Sequence, residues 1–221
     1  MSYPIEVNGA AASTLHVTLP VFGVGTFRVV IIKAESVSAE SGALRVVYNG
    51  GTLTGSLLAT YNLSAGVEAS GVFGYRGWAS VLPAKSYHSA AGVRLSTVLT
   101  DLERETGERF ENKPDTVLGT HWNRPAGIAS RALNAAAIGW RVLPSGVTTL
   151  APASGPLVRG KFEVTDLDEA RGVYTIGCDD PSEFVPGVLF KSPMMATPQR
   201  AGTVEHSLGE VTRVTVHAVR P

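Results

Sequence analysis

Short segments in which apolar and polar residues alternate run through much of this 221-residue chain. In STLHVTLP (13–20), Leu15, Val17 and Leu19 alternate with polar residues. A period of two gives a strand one buried face and one exposed face. Similar segments follow between glycine, serine and asparagine turns: TFRVVIIK (26–33), ALRVVYNG (43–50), TLTGSLLATY (52–61) and YRGWASVLP (75–83). These segments predict a β-barrel or β-sandwich in the first ninety residues.

The period changes in the segment GVRLSTVLTDLERETGERF (92–110). Its apolar residues recur three or four positions apart, which is the spacing of one helix face; they are Leu95, Val98, Leu99 and Leu102. Gly107 follows where a left-handed residue often ends a helix. The spacing therefore predicts a helix that ends at this glycine.

A second helix and a hairpin are predicted in RPAGIASRALNAAAIGWRVLPSG (124–146). Pro125 suits the first turn of a helix, with Asn123 or Arg124 just outside it, and Gly139 would end it. The apolar face would be narrow and rich in small residues: Ile128, Ala132, Leu133 and Ala136. Beyond it, WRVL and VTTLA flank PSG, which predicts a hairpin.

Strand-like segments return in the last seventy residues: KFEVTDL, GVYTIGC, GVLF, GTVEHSL and VTRVTVHAV. The predicted fold class is α+β, mainly β, with two strand-rich barrel-like lobes and a small helix–helix–hairpin insert. The expected domains are an N-terminal β-barrel-like domain (1–89), the insert (90–152) and a C-terminal β domain (153–221).

Composition argues against several classes of partner. Nineteen basic and nineteen acidic residues cancel, so no net field attracts nucleic acid or anionic lipid. Apolar runs are shorter than the roughly 18 residues of a membrane helix, and the N-terminus lacks a signal-peptide pattern, so we expect a protein that is kept in a cytoplasm or assembled there into something larger. Charged residues make up only 17% of the chain, which favours a surface buried against other proteins.

Motifs for catalysis are missing from the sequence. There is no phosphate-binding loop, no dinucleotide-binding glycine motif and no nucleophile elbow. The histidines occur singly, without metal-ligand spacing; they are His16, His88, His121, His206 and His217. Cys178 is expected to be a half-buried strand residue. We therefore expect a protein that is not an enzyme, with no catalytic residue, cofactor or metal.

Two acidic clusters come nearest to a metal site: Asp166, Asp168 and Glu169 in the first, and Asp179, Asp180 and Glu183 in the second. Oxygen ligands at such spacing could hold Ca²⁺, although neither cluster follows the EF-hand pattern. The alternative, which we favour, is a pair of turns whose aspartates bond to their own backbone.

Aromatic residues leave a second alternative open. Tyr75, Trp78 and Trp122 could form a carbohydrate-binding face if they were exposed together, although Trp residues more often pack inside. The same two alternatives, a binding face or packing inside, apply to Trp140. A cell-wall hydrolase would need paired carboxylates; Glu163, Glu169 and Glu183 are available, but nothing in their spacing selects them.

The central region resembles a known family. The run from VLTDLERETGERF through THWNRPAGIASRALNAAAIGWRVLPSGVTTL is similar to the central segment of phage baseplate hub proteins, the late-control-D-like and tail-tip hub family. The motifs are Thr106–Gly107–Glu108, Trp122–Pro125 and Trp140–Gly146. The Val204–His206 step and the N-terminal segment IEVNGAAASTLHVTLPVFGVGTFRV also resemble this family, so the similarity covers most of the chain.

The resemblance implies a structural role in a virion. Such hub proteins are typically trimers whose paired barrels form a pseudo-sixfold ring between a sixfold tail tube and a threefold spike or fibre. It implies a homotrimer at the tail tip or baseplate, assembled in the host cytoplasm. The implied partners are tail tube or distal tail proteins, a spike or fibre, and other baseplate proteins. The insert would then be a peripheral brace.

Overall fold

Seventeen strands and two helices form the part of the chain that this computed structural model describes, residues 5–32, 43–49 and 51–219. Lys33 and Gly50, which belong to two predicted strand segments, lie outside the described residues. The strands are β1 (Ile5–Val7), β2 (Ala10–Leu19), β3 (Thr26–Ile32), β4 (Ala43–Tyr48), β5 (Gly51–Leu63), β6 (Gly66–Phe73), β7 (Val81–Leu82), β8 (Lys85–His88), β9 (His121–Arg124), β10 (Gly127–Ile128), β11 (Arg141–Val142), β12 (Thr148–Thr149), β13 (Phe162–Asp168), β14 (Val173–Cys178), β15 (Leu189–Phe190), β16 (Gln199–Leu208) and β17 (Arg213–Ala218). The helices are α1 (Leu95–Thr106) and α2 (Ala129–Ala136), with short 3-10 turns at Gly77–Ala79 and Pro181–Glu183.

The first six strands close into a barrel. They pair in the order β1-β4-β5-β6-β3-β2, and β1 pairs with β2 to complete the circle. The alternating residues Leu15, Val17 and Leu19 are buried, as their spacing predicts. Phe27 and Phe73 stack inside, and a side chain at Gly71 would overlap the Phe27 ring. Glycine on β6 therefore leaves room for an aromatic core.

A second set of strands continues the same sheet. β16 pairs with β2 of the barrel, and β17, β14 and β13 follow outward, all antiparallel. The core under these strands is aromatic, because Phe162 and Phe190 each make an edge-to-face contact with Phe184. Tyr174 adds a further edge-to-face contact with Phe190. The predicted mainly-β fold class is confirmed.

Helix α1 forms as its spacing predicts. All four residues of its apolar stripe are buried, and Gly107 ends it in the left-handed region with φ +74°. The hairpin predicted around PSG is also present, because β11 pairs with β12 and Gly146 has φ +81° in the turn. Neither described helix is long and apolar enough to cross a membrane.

The second helix differs from its prediction at both ends. Residues His121–Arg124 form β9, which pairs with β8, so Pro125 lies between two strands and not in a first helical turn. The helix begins at Ala129, after Ile128, and ends at Ala136, before Gly139. Proline is compatible with both a strand end and a helix start, and cross-strand pairing decided between them here.

The predicted strand YRGWASVLP is mostly a tight turn. Only Val81–Leu82 is a strand, and Gly77–Ala79 forms a 3-10 turn after Arg76, whose φ is +67°. Trp78 in this segment is buried against Trp140, so it belongs to the core without lying on a strand.

Candidate functional site

The junction between barrel and insert is organised by one buried carboxylate. Glu108 follows the Gly107 cap of α1 and is 1% exposed. Its Oε1 accepts hydrogen bonds from the backbone N–H groups of Gly77 at 2.7 Å and Tyr75 at 3.1 Å, and the Trp78 N–H also bonds to the carboxylate. Burial raises the pKa of Glu108, and these donors oppose the rise. The Thr106–Gly107–Glu108 motif therefore anchors the turn that leaves the barrel.

Two tryptophans pack beside this carboxylate. Trp78 lies 5.2 Å from Trp140 and 5.6 Å from Phe110, measured between ring centroids. Its Nε1 donates to Thr148 Oγ1 at 3.0 Å, while Trp140 Nε1 donates to Asn134. Both tryptophans are buried, so they join the turn, α2 and the hairpin into one cluster.

The Trp122–Pro125 motif holds a buried arginine. The Arg124 side chain is fully buried, with Nη2 2.6 Å from Glu105 Oε2 on α1. Its Nε and Nη2 also donate to the Pro83 carbonyl at 3.3 and 3.1 Å. Lys85 pairs with Glu105 at 3.3 Å and with Asp101. This charged cluster fastens the paired strands β8 and β9 to α1, a role that the sequence reasoning missed.

A buried histidine lies at the seam between the two strand sets. His206 on β16 is fully buried, and its Nε2 lies 2.8 Å from the Phe184 carbonyl. Its Nδ1 lies 3.3 Å from the Tyr48 hydroxyl. A neutral ring with its proton on Nε2 donates to the carbonyl and accepts from the tyrosine. Burial lowers the pKa of His206 to about 4, although the Phe184 carbonyl and Asp180 favour the charged form.

We expect the stability of the protein to fall in acid because of His206. Its folded pKa of about 4 lies below its ordinary value of 6.5, so the unfolded chain binds more protons between these values. Stability should be complete above pH 6.5 and fall by about 3 kcal/mol as the pH approaches 4. Urea unfolding at three pH values in this window measures the loss.

The control for this expectation is a second histidine. The variant His206→Gln should lose much less stability than the wild type as the pH falls. His217→Gln, at a partly exposed position 3.5 Å from Glu205, should lose as much as the wild type. An equal loss of stability in acid for the wild type and His206→Gln would show that His206 is not its cause.

The two acidic clusters form turns, as favoured. The Asp180 carboxylate accepts from the Ser182 N–H at 2.9 Å, and Glu183 accepts from the Gly160 N–H at 2.9 Å. In the first cluster, Asp168 accepts from the Arg171 N–H at 3.0 Å. Among the residues that the structure describes, no group of three His, Cys, Asp or Glu side chains is placed to hold a metal ion.

The remaining candidate groups do not converge on one site. Cys178 is half-buried on β14, and burial, with nearby carboxylates, raises the pKa of its thiol to about 12. It is therefore a thiol at neutral pH and a poor nucleophile. His88 and His121 face each other across β8–β9 with ring centroids 4.3 Å apart, and His16 bonds to Ser207 at 2.9 Å.

The aromatic set considered for carbohydrate binding is divided. Trp78 is buried, whereas Tyr75 and Trp122 are half-buried at separate contacts, with Arg109 and Tyr87 respectively. The glutamates considered for hydrolysis lie on different elements: Glu163 on β13, Glu169 in the following turn and Glu183 in the second 3-10 turn.

Comparison with solved structures identifies the fold. A tail protein from Neisseria meningitidis MC58 superposes with a TM-score of 0.69 at 13% identity, over 99% of this chain and 96% of that one. The 43 kDa tail protein of prophage MuSo2 from Shewanella oneidensis gives 0.63 at 11% identity, over 100% and 97%. No protein-family model matches the chain, and no curated protein matches it in sequence.

A third match comes from a secretion system. The E. coli c3393 protein, a type VI secretion component with structural similarity to the T4 tail proteins gp27 and gp5, superposes with a TM-score of 0.67 at 12% identity, over 100% of this chain and 75% of that one. These matches agree with the hub resemblance at the level of the fold. The chain thus has the fold of phage tail proteins, which a type VI secretion component shares.

Proposed function

We propose that this chain is a structural protein of a phage tail, a hub at the baseplate or tail tip. The observation that carries the proposal is that tail proteins match essentially the whole chain. The motifs shared with hub proteins support it, because Glu108, Arg124 and His206 all serve to hold the fold together. The proposed role is assembly and not catalysis.

The proposed assembly is a homotrimer that adapts symmetry. Each chain carries a closed barrel and a second set of strands in one continuous sheet, so three chains supply six strand-rich units. Such a ring would join a sixfold tail tube or distal tail protein to a threefold spike or fibre. Residues 1–89 and 153–221 would form the two lobes and 90–152 the brace. The protein would assemble in the host cytoplasm and remain in the virion.

The absolute mass of the purified protein tests this proposal. Light scattering during size exclusion should give three times the 23.2 kDa chain mass at concentrations around the micromolar range. A dimer, or a monomer that persists at high concentration, would contradict the trimer.

A further inference from the structure

A long apolar groove lies between the barrel and helix α2. It consists of two adjoining cavities of about 530 and 310 Å³, which share Val24 and Ser130 in their walls. The barrel forms one wall and α2 the other, and the buried Trp78 and Trp140 contribute to the lining. The groove is therefore part of the anchored junction around Glu108 and rests on packed side chains.

Exposed apolar side chains line this groove or pair with residues that line it. Ile138 is fully exposed, Val81 is 77% exposed and Phe22 is 66% exposed. Val81 pairs with the half-exposed Ile128 across β7–β10, and Leu58 borders the second cavity. Soluble monomers rarely expose apolar residues in a continuous set of this kind. Their clustering along one groove indicates a surface that another molecule covers.

The charge that a partner could reach in the groove is positive. Its carboxylate, Glu108, is buried and already accepts backbone N–H groups. Arg76 lines the groove with its side chain exposed, and no ion pair joins it to a carboxylate among residues 5–32, 43–49 and 51–219. Arg76 is also held at φ +67°, a strained conformation for a residue other than glycine. Aromatic residues and arginine are the residue types enriched in interface centres.

We propose that this groove binds an apolar segment of another protein chain that carries a carboxylate beside its apolar anchors. The anchors would fill the two cavities, and the carboxylate would pair with Arg76. Because Arg76 is exposed and Glu108 is buried, the charge that a partner can reach is positive, which argues for an acidic partner segment over a basic one. This proposal does not rest on the trimer, because every residue that it uses belongs to a single chain.

A pair of designed peptides tests the chemistry of the partner. The first is a helical peptide of about fifteen residues, with leucines on one face and glutamates on the other; the second has lysine in place of each glutamate. Fluorescence anisotropy of the labelled peptides measures binding to the full chain. We expect the glutamate peptide to bind about tenfold more tightly than the lysine peptide, with a difference that shrinks as salt rises.

Three variants assign the binding to the groove. Ile138→Asp, at a fully exposed position, should weaken binding of the glutamate peptide about tenfold without unfolding the protein. Arg76→Asn keeps a residue that tolerates positive φ and should abolish the preference for glutamate over lysine. Val211→Asp, exposed at the β16–β17 turn, is the matched control and should bind like the wild type.

Several outcomes would overturn the proposal. They are failure of both peptides to bind, equal binding of the two peptides, and equal loss in Ile138→Asp and Val211→Asp. The light-scattering mass of Ile138→Asp separates this inference from the proposed assembly. An unchanged mass is expected, whereas a smaller oligomer would show that a second copy of this chain occupies the groove, which would overturn the choice of occupant.

Discussion

Replacing Glu108 by alanine is expected to lower the free energy of unfolding by about 3 kcal/mol, because it leaves backbone N–H groups in the buried turn without acceptors. Glu108→Gln keeps one carbonyl oxygen and should lose about half as much. Urea unfolding of the two variants measures both effects. The exposed Glu111→Ala is the control and should stay within about 0.5 kcal/mol of the wild type.

The Glu108 variants should also disturb the neighbouring tryptophans. Gly77 lies so close to the end of α1 that a side chain there would overlap the Thr106 carbonyl oxygen. The turn packs directly against the end of α1, and the carboxylate helps to hold it there. Tryptophan fluorescence should therefore move to longer wavelength when the turn loosens and Trp78 becomes exposed. A Glu108→Ala variant as stable as the wild type would show that the carboxylate does not hold the junction.

Replacing Arg124 by alanine is expected to lower the free energy of unfolding by about 3–5 kcal/mol, because it leaves Glu105 on α1 without its main partner. It also removes two donors to the Pro83 carbonyl. The matched control is Arg104→Ala, because Arg104 pairs with Asp101 at 2.8 Å but is 72% exposed. An exposed pair of this kind contributes about 0–1 kcal/mol.

A double variant separates the charge from the packing of Arg124. Arg124→Met with Glu105→Leu removes both charges and keeps much of the buried volume. It should be more stable than Arg124→Met alone, because no partly buried carboxylate is left without its arginine. If the double variant were less stable by the sum of the two single losses, the ion pair would not be coupled as the distances indicate.

The local patterns of the chain were sufficient to predict much of the fold. The alternation in β2 and the apolar stripe of α1 each arise because one face of the element is buried. Such a periodicity can be recognised within a short segment of sequence. The start of the second helix was predicted wrongly, because Pro125 suits either context and the pairing of β8 with β9 is a contact between distant residues.

The site was less predictable than the fold. Glu108 and Arg124 are charged residues that ordinarily face solvent, and nothing in their own sequence context shows that they are buried. His206 lies on the same buried face of β16 as Val204, yet its partners Tyr48 and Phe184 come from distant parts of the chain. The resemblance to hub proteins marked these motifs without giving their physical roles, which depend on tertiary contacts.

End-on electron micrographs of the purified assembly test the central claim most directly. Class averages should show threefold symmetry with six similar lobes around an opening, because each chain would contribute its barrel and its second set of strands to one ring. A twofold particle, or a threefold particle whose barrels lie apart without forming a ring, would contradict the proposed symmetry adaptor.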